Sequence, residues 1–430
     1  MGIRLTLFFM ASLGTIYDLL ILKVTDEKRK EPLPASVEEI YTAERWKTFL
    51  AYKKDMRRPH LFLRALMLAL TALMLFSPFF YWLEQFSGNV YVHTLIAAFL
   101  VETIPFLCQL PVEYDVTFRI REKYGLNRMS RADFWKDQII GWLFSVFLAL
   151  TLYFLLTWIL ESLPQWTRQY QISFLQALLI MALIAGVLIV FMIAASFLSW
   201  RILRIQYHFS ELEEGELRDQ IRYLIRDSRH KVRKIEVYDE SKKSTSKNAF
   251  VLKLLTYRTI GIADNFLNEN SRRELLAVIA HEAGHLKHRR NIWNVLSIAG
   301  LFLLFLAGAF CLSKGGMIAQ WETWIQEAFG LTLRNTVLSA SAAGWFLSPI
   351  GAAFSVFRNF VSREEEYEAD RNAVAEGYGK DLIQTFRSLS SDELIDVNPA
   401  DLVEVLELDH PGMAHRIEAI ETAMADLTHH

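Results

Sequence analysis

Seven apolar runs punctuate the chain, at roughly 3–22, 63–83, 90–110, 139–160, 172–199, 292–313 and 336–357. Each has the ~20 residues that a helix needs to cross a bilayer core. The first has the position of a signal peptide. Asp18 interrupts it, no small-x-small cleavage site follows, and Arg4 is a weak flank, so a genuine span is predicted. The connections differ in charge. Residues 23–60 carry ten Lys and Arg and residues 111–138 carry six, whereas 84–89 carry none, 161–171 only Arg168, and 314–335 only Lys314 and Arg334. The positive-inside rule therefore places the odd connections in the cytoplasm and the N-terminus outside. Seven spans return the tail 358–430 to the cytoplasm, beside the other long polar stretch, 201–291.

Within 201–291 the pattern shortens. Glu211–Arg229 reads as a charged helix, and Lys234–Tyr238 alternates like a strand. Asn248–Leu254 and Thr259–Ala263 read as two more strands. A helix is predicted from near Ser271, where Glu274 completes a capping box, through His281 and His285. The chain divides into five spans with their loops (1–200), a polar part (201–291), two spans (292–357) and a second polar part (358–430). No internal repeat interrupts this plan.

Composition agrees. Of 430 residues 52% are hydrophobic, and the mean hydropathy is +0.19, as a membrane class requires. A net charge of −2 gives no basis for nucleic-acid binding. Cys108 and Cys311 both lie in apolar runs, so neither a disulfide framework nor a cysteine zinc motif can be built. Asp18 and Glu102 lie inside apolar runs as well; they either face a wet cavity or pair with polar neighbours near a helix end.

The chemistry starts at His281-Glu282-Ala283-Gly284-His285. On a helix the two histidines share one face and can both reach an ion about 2 Å away. Glu282, beside the first, can polarise a metal-bound water without itself being a ligand. His288 reads as a polar interfacial residue instead of a ligand. A catalytic zinc needs a third protein ligand. The candidates lie in Ser362–Asp370, where Glu366 and Asp370 are four apart. Glu366 would bind the ion and Asp370 would accept a hydrogen bond from a ligand histidine; the alternative is a solvated acidic helix face. The insert between His285 and Glu366 consists of two spans, which returns Glu366 to the side of the membrane where His285 lies.

At these residues the chain resembles the type I CAAX prenyl endopeptidases, the CAAX prenyl protease 1 family of membrane zinc metallopeptidases. The resemblance rests on H-E-A-G-H followed by a span, on Glu366-Tyr367-Glu368-Ala369-Asp370, and on His410-Pro411 with Arg416-Ile417. It extends to Glu122–Asn127 with Phe134–Asp137, and to Ser241–Phe250. The chain departs from the family where Ser246 or Lys247 replaces a histidine, where Val251–Leu254 replaces an aromatic-Gly turn, and at Gly412, where a second proline is usual.

The resemblance implies one Zn2+ bound by His281, His285 and Glu366, with Glu282 as general base, Asp370 behind the ligands, His410 as oxyanion donor and Arg416 holding the site together. It also implies that Asn248, Ala249 and Phe250 form an edge strand that pairs with substrate. The expected fold is mainly α: seven transmembrane helices and a cytoplasmic gluzincin-like metalloprotease domain with a small β-sheet. The expected partners are membrane lipid and a peptide or protein substrate, with a prenylated C-terminus as the family's example. Two other functions compete: a quality-control protease that reads no lipid, and a catalytically idle membrane scaffold, which would have no use for Glu282. Lean loops favour a bacterial inner membrane over an endoplasmic reticulum.

Overall fold

A computed structural model describes the chain except residues 163–172, 229–230, 255–256, 288–299, 301–307, 309, 311–316 and 429–430. Six helices among the described residues are long and apolar enough to cross a membrane. They are α1 (Gly2–Lys28), α2 (Ala43–Phe76), α3 (Val90–Asp115, continued by a π-helical segment Val116–Arg121), α4 (Arg131–Ser162), α5 (Phe174–Gln206) and a later one, Thr336–Ala375. The predicted run 292–313 falls almost wholly outside the described residues.

Two expectations change here. The run 63–83 is not one helix: α2 stops at Phe76, Ser77 is extended, and a separate helix, Phe79–Phe86, follows Pro78. Proline supplies no N–H and disfavours helical geometry in the residue before it, so the break falls at Ser77. The expected helix over 211–229 covers only Glu216–Leu224. Ahead of it, Phe209–Glu211 (β1) pairs antiparallel with Tyr238–Glu236, and Gly215 at φ 155° makes the turn between them. Asp18 and Glu102 are each given a polar partner. Arg64 lies 2.9 Å from Asp18, and Ser145 donates to Glu102 at 2.7 Å.

The polar half holds a four-stranded sheet in the order β1-β2-β4-β3, with β2 Lys234–Tyr238, β3 Ala249–Leu254 and β4 Tyr257–Ala263. Among the described residues β3 pairs only with β4, Ala249 opposite Ile262, which leaves its other side as a sheet edge. Against the sheet lies α6 (Arg272–Lys287), whose start is fixed as predicted: Glu274 accepts from Ser271 N at 2.9 Å, and Ser271 Oγ accepts from Glu274 N. The helix from the last described span, α7 (Thr336–Ala375), runs unbroken for 40 residues out of its apolar part and across α6. α8 (Gly379–Glu393), α9 (Asp401–Glu407) and α10 (Met413–Thr428) close the core.

That core also takes in Val37, Ile40, Tyr41 and Phe49 from the first polar connection. The third connection docks as well. Leu126 is buried in the core, Arg128 N donates to Lys243 O at 3.1 Å, and Lys243 Nζ meets Asp137 at 2.5 Å. The residues of both connections thus brace the sheet.

α6 and α7 are in tight contact at Gly284. A Cβ there would lie 2.7 Å from Ala369 Cα, which is backbone and cannot swing aside. Alanine would gain about 1 kcal/mol of helix propensity, while overpacking a rigid contact costs about 1–3 kcal/mol. Gly284→Ala is therefore expected to lower the melting temperature of the purified protein; a rise would show that propensity outweighs packing at this contact.

Candidate metal centre

α6 turns His281 and His285 to one face, with ring centroids 4.9 Å apart and ring planes at 88°. α7 brings Glu366 against both: Oε2 is 3.4 Å from His281 Nε2, and Oε1 is 3.2 Å from His285 Nε2. The potential ligand atoms of the three residues lie within 4.8 Å of one another. Ligands about 2.05 Å from a tetrahedrally coordinated zinc stand roughly 3.3 Å apart. Each histidine faces a different oxygen of Glu366, at separations on either side of that value, and the three residues together could hold such an ion.

The buried carboxylate of Asp370 lies one turn beyond Glu366. Its Oδ1 is 2.8 Å from His281 Nδ1, which leaves Nε2 of that ring directed at Glu366. Arg416, from α10, donates to both Asp370 oxygens, Nε at 2.9 Å and Nη2 at 2.7 Å, and its Nη1 lies 3.3 Å from Glu366. The guanidinium stacks 4.2 Å from the Phe386 ring centroid. Burial pulls the pKa of His281 down, but its hydrogen bonds to Asp370 and Glu366 outweigh that and raise it to about 9. In the absence of an ion the site therefore favours a proton where a cation would sit.

A cavity of about 340 Å3 opens over the three residues. Glu282 lines it half-buried, and the β3 edge from Asn248 to Phe250 forms one wall. His410 lines it too, with Nδ1 3.8 Å from Glu366 and a side chain 59% exposed. All ten sequence-nominated residues thus meet at or just behind one cavity. His288 lies outside the described residues.

Sequence reading missed three supports. Asn372 donates to Ala280 O at 2.6 Å and ties α7 to α6. Arg363 donates to Glu404 O and Leu408 O, at 2.8 and 2.7 Å, and so holds the segment leading to His410. Glu393 accepts from Ser246 Oγ and Lys247 N, both at 3.0 Å, just before β3. A signal for Arg363 was available. Asn359, Arg363, Glu366 and Asp370 follow the 4-3-4 spacing of a buried helix face, and all four are buried polar residues.

Long apolar helices and a two-histidine, one-glutamate cluster that could hold an ion fit the class of multi-pass membrane metalloproteins. Similarity to known proteins narrows that class. The family model described as Peptidase family M48 matches residues 211–424, and the one described as CAAX prenyl protease N-terminal, five membrane helices, matches residues 23–199. The chain is 24% identical to the CAAX prenyl protease 1 homolog of Arabidopsis thaliana, over 90% of each chain. It is 25% identical to CAAX prenyl protease 1 of Saccharomyces cerevisiae, over 75% of this chain and 70% of that one. The crystal structure of S. mikatae Ste24p has the same fold, with a TM-score of 0.77 at 23% identity over 98% of this chain and 99% of that one. The chain belongs to peptidase family M48, among the CAAX prenyl proteases of type 1; it is an integral membrane metalloendopeptidase.

Asp370→Asn keeps the volume but removes the charge between His281 and Arg416. Partners behind metal ligands typically contribute about 10–100-fold in affinity. Chelator competition is expected to show a drop of that size for this variant; unchanged affinity would mean that Asp370 does not support the ligands.

Proposed function

We propose that the protein is a zinc-dependent endopeptidase that cuts near the C-terminus of membrane-associated substrates, with one Zn2+ held by His281, His285 and Glu366. The observation that carries this is the ligand spacing, 3.2 and 3.4 Å about Glu366, with His281 Nδ1 already engaged by Asp370. Zinc, when bound, supplies Lewis acidity at the scissile carbonyl and at the attacking water.

The chain's own residues do the rest. Asp370 accepts from Nδ1–H of His281 and so fixes the tautomer whose Nε2 is a lone-pair donor. Arg416 balances the charge of the two buried carboxylates. Glu282, in the same cavity, takes the proton of the attacking water and hands it to the leaving amine. His410, which lines the same cavity, donates to the oxygen that becomes negative during attack. The free side of β3 at Asn248–Phe250 offers backbone groups to an extended peptide, which positions the scissile bond whatever its sequence. Family membership supports a prenylated C-terminal peptide as the substrate class. The Lys and Arg of 23–60 favour a cytoplasmic active site, and lean loops a bacterial inner membrane.

Glu282→Gln is expected to retain zinc, measured as metal per protein, while losing peptide cleavage by roughly 100-fold or more. His285→Ala is expected to lose both. Cleavage by the glutamine variant at the wild-type rate would overturn the role of Glu282.

The purified protein is expected to cleave a farnesylated C-terminal peptide with a higher kcat/KM than its unmodified twin. Equal values would move the assignment to a protease that does not read the lipid.

A further inference from the structure

A second concavity, of about 990 Å3, lies between the end of α1 and the first half of α2, with Glu407 of α9 at its rim. Seven Lys and Arg side chains line it against four carboxylates. Three of those carboxylates are already matched: Asp26 by Arg57 at 2.6 Å, Asp18 by Arg64 at 2.9 Å and Glu27 by Lys30 at 2.7 Å. Lys23, Lys53 and Lys54 have no ion pair within 4.0 Å among the described residues, so the cleft keeps an excess of positive charge.

Lys53 is the informative member. Lysines that merely obey the positive-inside rule extend into water. The Lys53 ammonium instead lies half-buried, 5.4 Å from the ring centroids of both Phe49 and Tyr52. Burial lowers its pKa, and Asp396, the acid whose charge opposes that shift, is held by Arg29 at 2.7 Å. A desolvated ammonium without a carboxylate is costly, and an anion entering the cleft would relieve that cost.

The cleft is also graded. Its apolar lining includes Leu19, Leu22 and Leu61, where α1 and α2 pass into their apolar runs, and its basic side faces the polar stretch that begins at Lys23. A ligand that fits both sides has a phosphate at one end and hydrocarbon at the other. We propose that this cleft binds the phosphate of an anionic phospholipid from the leaflet next to the cytoplasmic ends of α1 and α2.

The test uses the full-length protein in detergent, titrated with phosphatidylglycerol, phosphatidylcholine or inorganic phosphate, with retained adducts counted by native mass spectrometry. Each lysine near anionic headgroups contributes about fivefold, so the Lys53→Gln/Lys54→Gln variant is expected to bind phosphatidylglycerol roughly 30-fold more weakly. Lys380→Gln, exposed on α8 and away from the cleft, is expected to bind like wild type. If the double variant does not fold, Lys54→Gln alone, at an exposed position, is expected to lose about fivefold. Phosphatidylcholine binding as tightly as phosphatidylglycerol would overturn the proposal, as would binding unchanged in the lysine variants. Inorganic phosphate that displaces the lipid at equal concentration would reassign the site to free phosphate.

Discussion

The approach of α6 to α7 at Gly284 and Ala369 is the constraint on which the rest depends. With no side chain on α6 at Gly284, the backbone of α7 at Ala369 comes close enough to lock the rotation of both helices. The histidines sit on the face of α6 that flanks this contact, and Glu366 lies one turn before Ala369 on α7. A shift of either helix by one residue would rotate its polar groups by about 100° and separate them. The Asn372–Ala280 hydrogen bond pins the same crossing.

Charge sets the second requirement. Glu366, Asp370, His281 and Arg416 are buried together, and removing one partner of such a set leaves an uncompensated charge that costs about 3–5 kcal/mol. Arg416 meets both carboxylates and is stacked on Phe386, so α10 cannot leave without exposing that deficit. The helix farthest along the chain is in this way tied to the metal-ligand cluster by electrostatics as well as by its apolar face. That arrangement holds Glu366 and Asp370 in place before any ion arrives.

The membrane-spanning part and the peptidase core are joined by more than a linker. Residues 37–49 contribute side chains to the core, and Tyr41 Oη lies 2.7 Å from both Ser390 O and Ile395 O. Asp137, at the start of α4, grips Lys243 two residues before Thr245, on the segment that leads into β3. The sheet edge that faces the cavity is therefore positioned from the bundle and, through Glu393, from α8.

Much was legible in the residues alone. Run length against bilayer thickness located six long apolar helices among the described residues, and the i, i+4 spacing put His281 with His285 and Glu366 with Asp370, because helix pitch is local. The Ser271–Glu274 cap and the three strands over 234–263 follow from local rules too. Local signals failed where a distant partner decided the outcome. Glu211 reads as helix until Glu236 pairs with it; the run 63–83 is broken by a local residue instead, Pro78, whose steric cost a count of apolar positions leaves out. The sequence by itself determined which side chains share a helix face and which described helices are long and apolar enough to cross a bilayer. Only the tertiary structure decided that Arg416 would bridge Asp370 and Glu366, that Arg363 would hold the His410 segment, and that the first connection would be core, because long-range packing and buried charge balance have no period to read.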